Sequence, residues 1–307
     1  MKIIDDLTIM MPIVARDYAT HRILKSMSGD DVKFQILLAD GSGIDKSKEF
    51  SKNKYPKLNL KYINFGKDST VHNWMKKMYM ATQEINTPLT VIVDNDDIVS
   101  KEGMVNGVKF LMDNKDYVSF RGSLPSTTNM ENHHTNPNDI TDQRVFDRVS
   151  KDLSGKDSAW GDITRTDAMK RLYEILYRSK TQDVMLVFTI DAGIKLFYGK
   201  NHKDFSLPLC YHIPGDTLIL NRKDWTGYKK WTEAPTIKES LGLYVSVVAA
   251  AMNKIDLVPL EIAKKQFAEF LLEDMLYGDK PYEDKKRNLT FIAIEKSIDY
   301  DELSRQI

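Results

Sequence analysis

Short, mainly apolar segments alternate with amphipathic segments along the first hundred residues. The apolar segments have the length and composition of strands that are buried on both faces of a sheet. Four segments are predicted strands: Leu7–Val14, Val32–Ala39, Leu58–Phe65 and Leu89–Val93. In Tyr18–Met27 and Ser69–Ile85 apolar residues recur at helical spacing, which places Trp74 on the core side of the second helix. This order of elements predicts an α/β fold with a mostly parallel sheet flanked by helices.

The rest of the chain is predicted to contain a long loop and several helices. Within Ser126–Arg148, the stretch Ser126–Asp139 is polar and nearly free of core residues, which favours a loop. Helical patterns cover Lys101–Asp113, Arg165–Tyr177, Asp183–Tyr198 and Asp256–Leu276. We expect one α/β domain over residues 1–220 and a mainly helical C-terminal region over residues 221–307.

Composition and charge exclude several classes of protein. The 307 residues include 44 Lys and Arg against 44 Asp and Glu, so the formal charge is zero and nothing favours a general nucleic-acid binder. The single cysteine, Cys210, excludes an intramolecular disulfide, a multi-cysteine zinc site and an iron–sulfur cluster. No stretch approaches the roughly 20 apolar residues of a transmembrane helix. Asp5 and Asp6 stand where a signal peptide would be apolar, so a cytoplasmic location is expected.

Charged residues directly follow three of the predicted strands. Arg16, Asp40 and Asp94 each lie in a loop at the carboxyl end of a strand. Open parallel sheets bind their ligands outside these carboxyl ends. The three loops are therefore the predicted position of a ligand site.

The segment Asp94–Asp97 carries the strongest chemical signal. Three carboxylates within four residues, at the end of a buried strand, concentrate negative charge that a cation would neutralise. Oxygen ligands of this kind suit Mg²⁺ or Mn²⁺, often shared with substrate phosphates. The alternative is an acidic turn that caps the helix Lys101–Asp113, but three acids are more than a cap needs.

Three segments in this order resemble the glycosyltransferases of the GT-A (Rossmann-like) fold, similar to family 2. They are Thr8–Arg16, Ile36–Ser42 and Leu89–Asp97. In that family the first strand ends in a Pro-Thr-Tyr-Asn-Arg-like segment, the second in Asp-Asp-Gly-Ser and the fourth in Asp-x-Asp. This chain departs from the pattern at Ile13–Ala15, which replace Thr-Tyr-Asn, and at Ala39, which replaces the first Asp of Asp-Asp-Gly-Ser.

The resemblance implies a donor site for a nucleotide sugar. Asp40 matches the acid that hydrogen-bonds the nucleotide base, and Pro12–Arg16 match the loop that walls the base and ribose. Asp94 and Asp96 match Asp-x-Asp, whose second acid coordinates Mn²⁺ or Mg²⁺ on the diphosphate; a shift by one would make Asp96 and Asp97 the pair. The predicted nucleotide-sugar-binding residues are Pro12, Val14, Arg16, Asp40, Lys77, Asp94 and Asn95.

Two further residues are assigned to this site with an open alternative. His212 resembles the late histidine that some family members contribute as a metal ligand, so the predicted metal ligands are Asp94, Asp96 and His212. A loop histidine without a role is the alternative. Lys77 could reach a phosphate from its helix, whereas a helical lysine is more often simply solvated.

The general base is expected in the second half of the chain. An inverting transferase needs a carboxylate that takes the proton from the attacking hydroxyl. Gln182 and Asp183 resemble a Glu-Asp pair that the family places at a helix start, although an Asp there is also an ordinary helix cap. Asp183 and Asp191 are the predicted catalytic residues, and Asp162 is a further candidate.

The sequence thus predicts a metal-dependent, inverting glycosyltransferase that moves a sugar from a nucleotide-diphosphate donor to a hydroxyl of a glycan or other acceptor, as in polysaccharide biosynthesis. One alternative is a nucleotidyltransferase, but no Gly-rich phosphate loop with a lysine follows the first strand. Another is a non-catalytic module of the same fold that binds a sugar nucleotide or glycan, which the departures at Ile13–Ala15 and Ala39 leave open. The oligomeric state is not predicted.

Overall fold

The computed structural model describes residues 2–29, 32–128, 130, 137–155, 160–180, 187, 191, 193–213 and 237–271. The strands of the first half are β1 (Lys2–Ile13), β2 (Val32–Asp40), β3 (Asn59–Asn64), β4 (Leu89–Ile92) and β5 (Ile98–Val99). Those of the second half are β6 (Tyr117–Ser123), β7 (Ile163–Arg165), β8 (Lys200–Pro208) and β9 (Cys210–Tyr211). The helices are α1 (Asp17–Met27), α2 (Val71–Gln83), α3 (Lys101–Asp113), α4 (Val145–Gly155), α5 (Thr166–Arg178), α6 (Ile237–Ile255) and α7 (Leu260–Phe270).

Seven strands form one mostly parallel sheet in the order β3-β2-β1-β4-β7-β6-β8. Only β7 runs antiparallel to its neighbours, β4 and β6. The amino end of β7 therefore lies at the same edge of the sheet as the carboxyl ends of β4 and β6. A separate two-stranded ribbon pairs β5 with β9 and places the segment after β9 beside the segment after β4. Among the described helices, none is long and apolar enough to cross a membrane.

Two apolar clusters cover the two faces of the sheet, because successive side chains of a strand point to opposite faces. On β1, Ile9 and Met11 join a cluster with α1 and α3, whereas Met10 joins the cluster formed with α2, α5, α6 and α7. Trp74 is 5% exposed in the second cluster, as its position in the helical pattern predicted. The helices α6 and α7 form the predicted helical C-terminal extension, while a domain boundary at residue 220 stays a prediction.

The predicted elements of the first half are confirmed within a few residues, whereas two helices of the second half differ from the prediction. The helix α4, which begins at Val145 after the predicted loop Ser126–Asp139, was not predicted, and the Asp256 carboxylate accepts a bond of 2.8 Å from the Val145 amide. The helix predicted from Asp256 begins at Leu260 instead, because Leu257 has a left-handed backbone and Pro259 is the N-cap. Most of the predicted helix from residue 183 to 198 lies outside the described residues.

Candidate active site

The carboxyl ends of three adjacent parallel strands bring the predicted ligand loops together. The strands β2, β1 and β4 are neighbours, with Ile13 paired to Asp40 and with the Val93 amide bonded to the Met10 carbonyl at 3.1 Å. Pro12 and Val14 are partly exposed at this edge. The loops that contain Arg16, Asp40 and Asp94 therefore surround one region, as the parallel-sheet prediction required.

Asp40 is fully buried and organises the loop that follows β2. Its carboxylate accepts bonds from the Ser42 amide at 2.7 Å, the Ser42 hydroxyl at 3.0 Å and the Tyr62 hydroxyl at 2.7 Å. Burial and the Asp40 bond raise the pKa of Tyr62 to about 12. Three of the roughly four acceptor positions of the carboxylate are thus used within the protein. A base-binding role for Asp40 stays a prediction.

Lys77 lies in the core and not on the surface. Its side chain is 2% exposed, and Nζ lies 2.6 Å from Oδ2 of the equally buried Asp68. The alternative of a solvated helical lysine was therefore wrong. Asp68 also packs against Gly41, because a Cβ added at Gly41 would come within 2.1 Å of Asp68 Oδ2. The Lys77–Asp68 ion pair therefore packs against the loop that follows β2.

The segment Asp94–Asp97 is fixed to the end of β1 by several contacts. The Arg16 guanidinium forms an ion pair with the Asp96 carboxylate, and Arg22 donates to the Asp96 carbonyl at 3.1 Å. The buried Asn95 donates its amide to the Ala15 carbonyl and to the Thr20 hydroxyl, each at 2.9 Å. The Asn95 side-chain nitrogen therefore joins the segment after β4 to the segment after β1. A role for Asn95 in binding the nucleotide sugar stays a prediction.

His212 reaches the same segment from the other half of the chain. The ribbon of β5 and β9 places His212 Nδ1 3.0 Å from Oδ1 of Asp97, which is 4% exposed. This hydrogen bond is the main cause that raises the pKa of His212. We use the name acidic edge for this group of five residues: Asp94, Asp96, Asp97, Arg16 and His212.

Negative charge exceeds positive charge at the acidic edge. Burial, and then the nearby charges of Asp97 and Asp96, raise the pKa of Asp94 to about 7. Within the described ranges, no three or more His, Cys, Asp or Glu side chains are arranged to hold a metal ion alone, and this includes the predicted set of Asp94, Asp96 and His212. A Mg²⁺-type site needs only one or two carboxylates when phosphate oxygens complete the coordination, and the acidic edge fits that requirement.

A second group of charges lies beside the acidic edge, at the amino end of β7. We call it the buried charge cluster, and its members are at most 6% exposed: Arg121, Asp152, Asp162, Asp191, Lys195 and Lys203. Arg121 binds Asp162 through two parallel bonds of 2.9 Å and Asp152 at 3.3 Å. Lys195 Nζ lies 3.6 Å from Asp162.

Asp191 is the least satisfied member of the buried charge cluster. Its Oδ1 atom is buried and has no hydrogen-bond partner among the described residues. Burial raises the pKa of Asp191 to about 7, although Lys195 acts in the opposite direction. Burial, and then the charges of Asp191 and Asp94, raise the pKa of the buried Tyr173. Asp183 lies outside the described residues.

Sequence reasoning missed several charged residues of this region. Four of these residues lie in segments with no local motif: Arg121, Asp152, Lys195 and Lys203. The two aspartates that bind Arg121 lie 31 and 41 residues away from it in the sequence. Only an unusual charge inside the apolar strand β6 could have drawn attention to Arg121. Asp162, a further candidate base, forms its main ion pair with Arg121, and its catalytic role stays a prediction.

Comparison with solved structures identifies the fold. No protein-family model and no curated protein sequence matches the chain. S. aureus TarS, residues 1–349 in complex with UDP-GlcNAc, aligns with a TM-score of 0.59 at 16% identity over 99% of this chain and 84% of that one. The same fragment in complex with UDP gives 0.54 at 14% identity, over 96% and 80%. Longer S. aureus TarS gives 0.58 at 15% identity, over 99% and 50%. The chain therefore has a fold of the GT-A glycosyltransferase type, as the sequence predicted.

Proposed function

We propose that this protein is a metal-dependent glycosyltransferase that moves a sugar from a nucleotide-diphosphate donor to a hydroxyl acceptor. The observation that carries the proposal is the position of the acidic edge: three carboxylates follow β4 directly and lie beside the loops that end β1 and β2. In open α/β sheets this is where ligands bind. The TarS structures contain UDP-GlcNAc or UDP, which makes UDP sugars the first donors to test.

The donor would lie across the ends of β1, β2 and β4. Pro12 and Val14 are partly exposed and would wall the base and ribose, while Asp40 holds the neighbouring loop in shape. Asp94 and Asp96 would hold Mn²⁺ or Mg²⁺ together with the diphosphate oxygens. When bound, the cation supplies charge stabilisation for the departing diphosphate. The chain's own part is to orient the donor and to place these carboxylates beside the diphosphate.

The acceptor hydroxyl would be activated by an aspartate from the second half of the chain. Asp191 fits because its pKa lies near neutrality and its Oδ1 atom has no bond among the described residues. A base with a pKa near the working pH is the most effective in proton transfer. Asp183 is the second candidate from its sequence pattern. A single base of this kind leads to inversion at the transferred sugar.

The direct test is release of nucleotide diphosphate from a panel of UDP, GDP and dTDP sugars, with Mn²⁺, Mg²⁺ or EDTA. We expect turnover with one nucleotide class that stops in EDTA and in Asp96→Asn. Asp113→Asn is the matched control, because Asp113 is an exposed acid at the end of α3. Full activity of Asp96→Asn in EDTA would contradict the proposal. Binding of one nucleotide without turnover of any donor would instead favour a non-catalytic module.

A further inference from the structure

We propose that Arg16 neutralises Asp96 in the ligand-free protein and that the incoming metal ion must displace it. Arg16 would thus be a positioning residue that makes metal binding depend on the donor. This inference rests on the proposed function, because it concerns the same acidic edge. It adds an order of events that neither the fold nor the motif implies.

The side chains of Arg16 and Asp96 are already committed to each other. They form an ion pair although the two residues are 80 positions apart, and the two side chains are only 16% and 18% exposed. A charge pair that is largely removed from water is screened much less than one on the surface. The carboxylate that matches the metal-coordinating acid of the family motif is therefore occupied by a cation of the chain itself.

The backbone around this pair is held independently of it. Arg16 has a left-handed backbone, with φ at 59°, and its carbonyl accepts bonds from the Ala19 and Thr20 amides. The Asn95 amide donates a hydrogen bond to the neighbouring Ala15 carbonyl, and the Arg22 guanidinium donates one to the Asp96 carbonyl. Because these contacts do not involve the Arg16 guanidinium or the Asp96 carboxylate, the guanidinium can leave without opening either loop.

Exchange of the two cations has a chemical reason. A divalent ion and a guanidinium compete for the same carboxylate oxygens, so the metal binds weakly while Arg16 stays in place. A diphosphate changes this balance, since it supplies further oxygens to the metal and also a new partner for arginine. Guanidinium binds phosphate oxygens in paired hydrogen bonds. Donor and metal would then each favour the binding of the other, with Arg16 moving from Asp96 to the diphosphate.

The test is Mn²⁺ binding to the whole chain without nucleotide, measured by the electron paramagnetic resonance signal of free Mn²⁺. We expect Arg16→Met to bind Mn²⁺ about tenfold more tightly than the wild type, one order of magnitude corresponding to about 1.4 kcal/mol. Arg22→Met is the matched control, because it removes the same charge from the same segment but touches only the Asp96 backbone. We expect it to change the affinity less than about threefold.

Each other outcome has a distinct meaning. Equal tightening in Arg16→Met and Arg22→Met, or none in either, would overturn the displacement of Arg16; the metal site itself would survive if Asp96→Asn abolished binding. Undetectable Mn²⁺ binding in the wild type, in Arg16→Met and in the presence of nucleotides would overturn both the metal site and this inference. Melting curves of all variants establish that they are folded.

A second measurement does not depend on the strength of Mn²⁺ binding to one variant. A thermal double-mutant cycle of Arg16→Met and Asp96→Asn measures the coupling between the two side chains. We expect coupling in EDTA and a smaller coupling when Mn²⁺ and nucleotide are present at concentrations that saturate the wild type. Arg16→Lys retains the charge and should keep part of the coupling. Coupling that is unchanged by metal and nucleotide would show that Arg16 stays on Asp96 and would contradict the proposal.

Discussion

The acidic edge and the buried charge cluster lie side by side at one edge of the sheet, yet they are built in opposite ways. The cluster sets three cationic side chains against three aspartates, and all six are at most 6% exposed. The acidic edge sets three aspartates against Arg16 and His212, and its Asp96 and His212 side chains are 18% and 36% exposed. The cluster is balanced within the protein, whereas the edge is left with negative charge that faces solvent.

From this difference we expect a structural role for the buried charge cluster and propose a binding role for the acidic edge. A buried charge is tolerated only when partners satisfy it, so the two parallel bonds from Arg121 to Asp162 hold these two charges in the cluster, whereas Oδ1 of Asp191 has no partner among the described residues. At the acidic edge, burial and then the nearby charges of Asp97 and Asp96 raise the pKa of Asp94, so three carboxylates lie close together without enough positive charge to balance them. Such unfavourable charge is expected where a cation or substrate completes the site.

The largest effect is expected from breaking the buried charge cluster. Arg121→Met leaves Asp152 and Asp162 buried without their main partner, and loss of one member of a buried ion pair typically costs about 3–5 kcal/mol. Urea unfolding should show this loss, and Arg121→Lys should restore little of it, because lysine cannot form the two parallel bonds. Wild-type stability in Arg121→Met would contradict a structural role for the cluster.

A substitution at the acidic edge should lower turnover strongly and change stability little. Asp96→Asn is expected to lower turnover at least about 100-fold, the scale on which loss of a charge-stabilising group acts in other enzymes. The melting temperature should change by less than about 3 °C, because the side chain is partly exposed and the loop keeps the Asn95 and Arg22 contacts. Parallel melting and turnover measurements check this. A loss of stability as large as that of Arg121→Met would remove the distinction between the two groups.

Asp191 differs from the other aspartates of the buried charge cluster, because its Oδ1 atom has no hydrogen-bond partner among the described residues. Its pKa in the folded protein, about 7, lies above the ordinary value of 3.8. The contribution of Asp191 to stability is therefore full below about pH 4 and is lost as the pH rises towards 7. Relative to Asp191→Asn, the wild type should lose a few kcal/mol at most over this range, given about 1.4 kcal/mol per pKa unit. Urea unfolding at pH 4.5 and 8 measures it; parallel pH profiles would contradict the elevated pKa.

The smallest effect should come from an exposed ion pair, whose loss gives a reference value for the stability changes at the acidic edge and in the buried charge cluster. Lys61 and Glu84 lie 2.7 Å apart, with side chains 53% and 45% exposed. Because water and salt screen such a pair, Lys61→Ala should change stability by less than about 0.5 kcal/mol and leave turnover unaltered. A cost near that of Arg121→Met would mean that burial is not what distinguishes the cluster.

The sequence predicted the acidic edge better than the buried charge cluster, for a physical reason. The acidic edge consists of residues that directly follow buried strands, and strands such as Val32–Ala39 and Leu89–Val93 are visible in the local apolar pattern. The cluster depends on side chains from β6, β7, β8 and α4 that meet only after folding. The same holds for the cap that Asp256 places on α4 and for the burial of Lys77 by Asp68. Contacts of this kind leave no local pattern.

Binding of a nucleotide sugar to the acidic edge through a metal ion can be measured with a thermal-shift panel. The wild type, Asp96→Asn and Asp113→Asn would be melted with UDP, GDP, dTDP or CMP, each with Mn²⁺, Mg²⁺ or EDTA. A ligand at about 100 times its dissociation constant adds about 2.7 kcal/mol of stability. We predict a clear rise in melting temperature for one nucleotide with metal, in the wild type and Asp113→Asn but not in Asp96→Asn or in EDTA. An equal rise in EDTA and in Asp96→Asn, or no rise with any nucleotide, would contradict such binding.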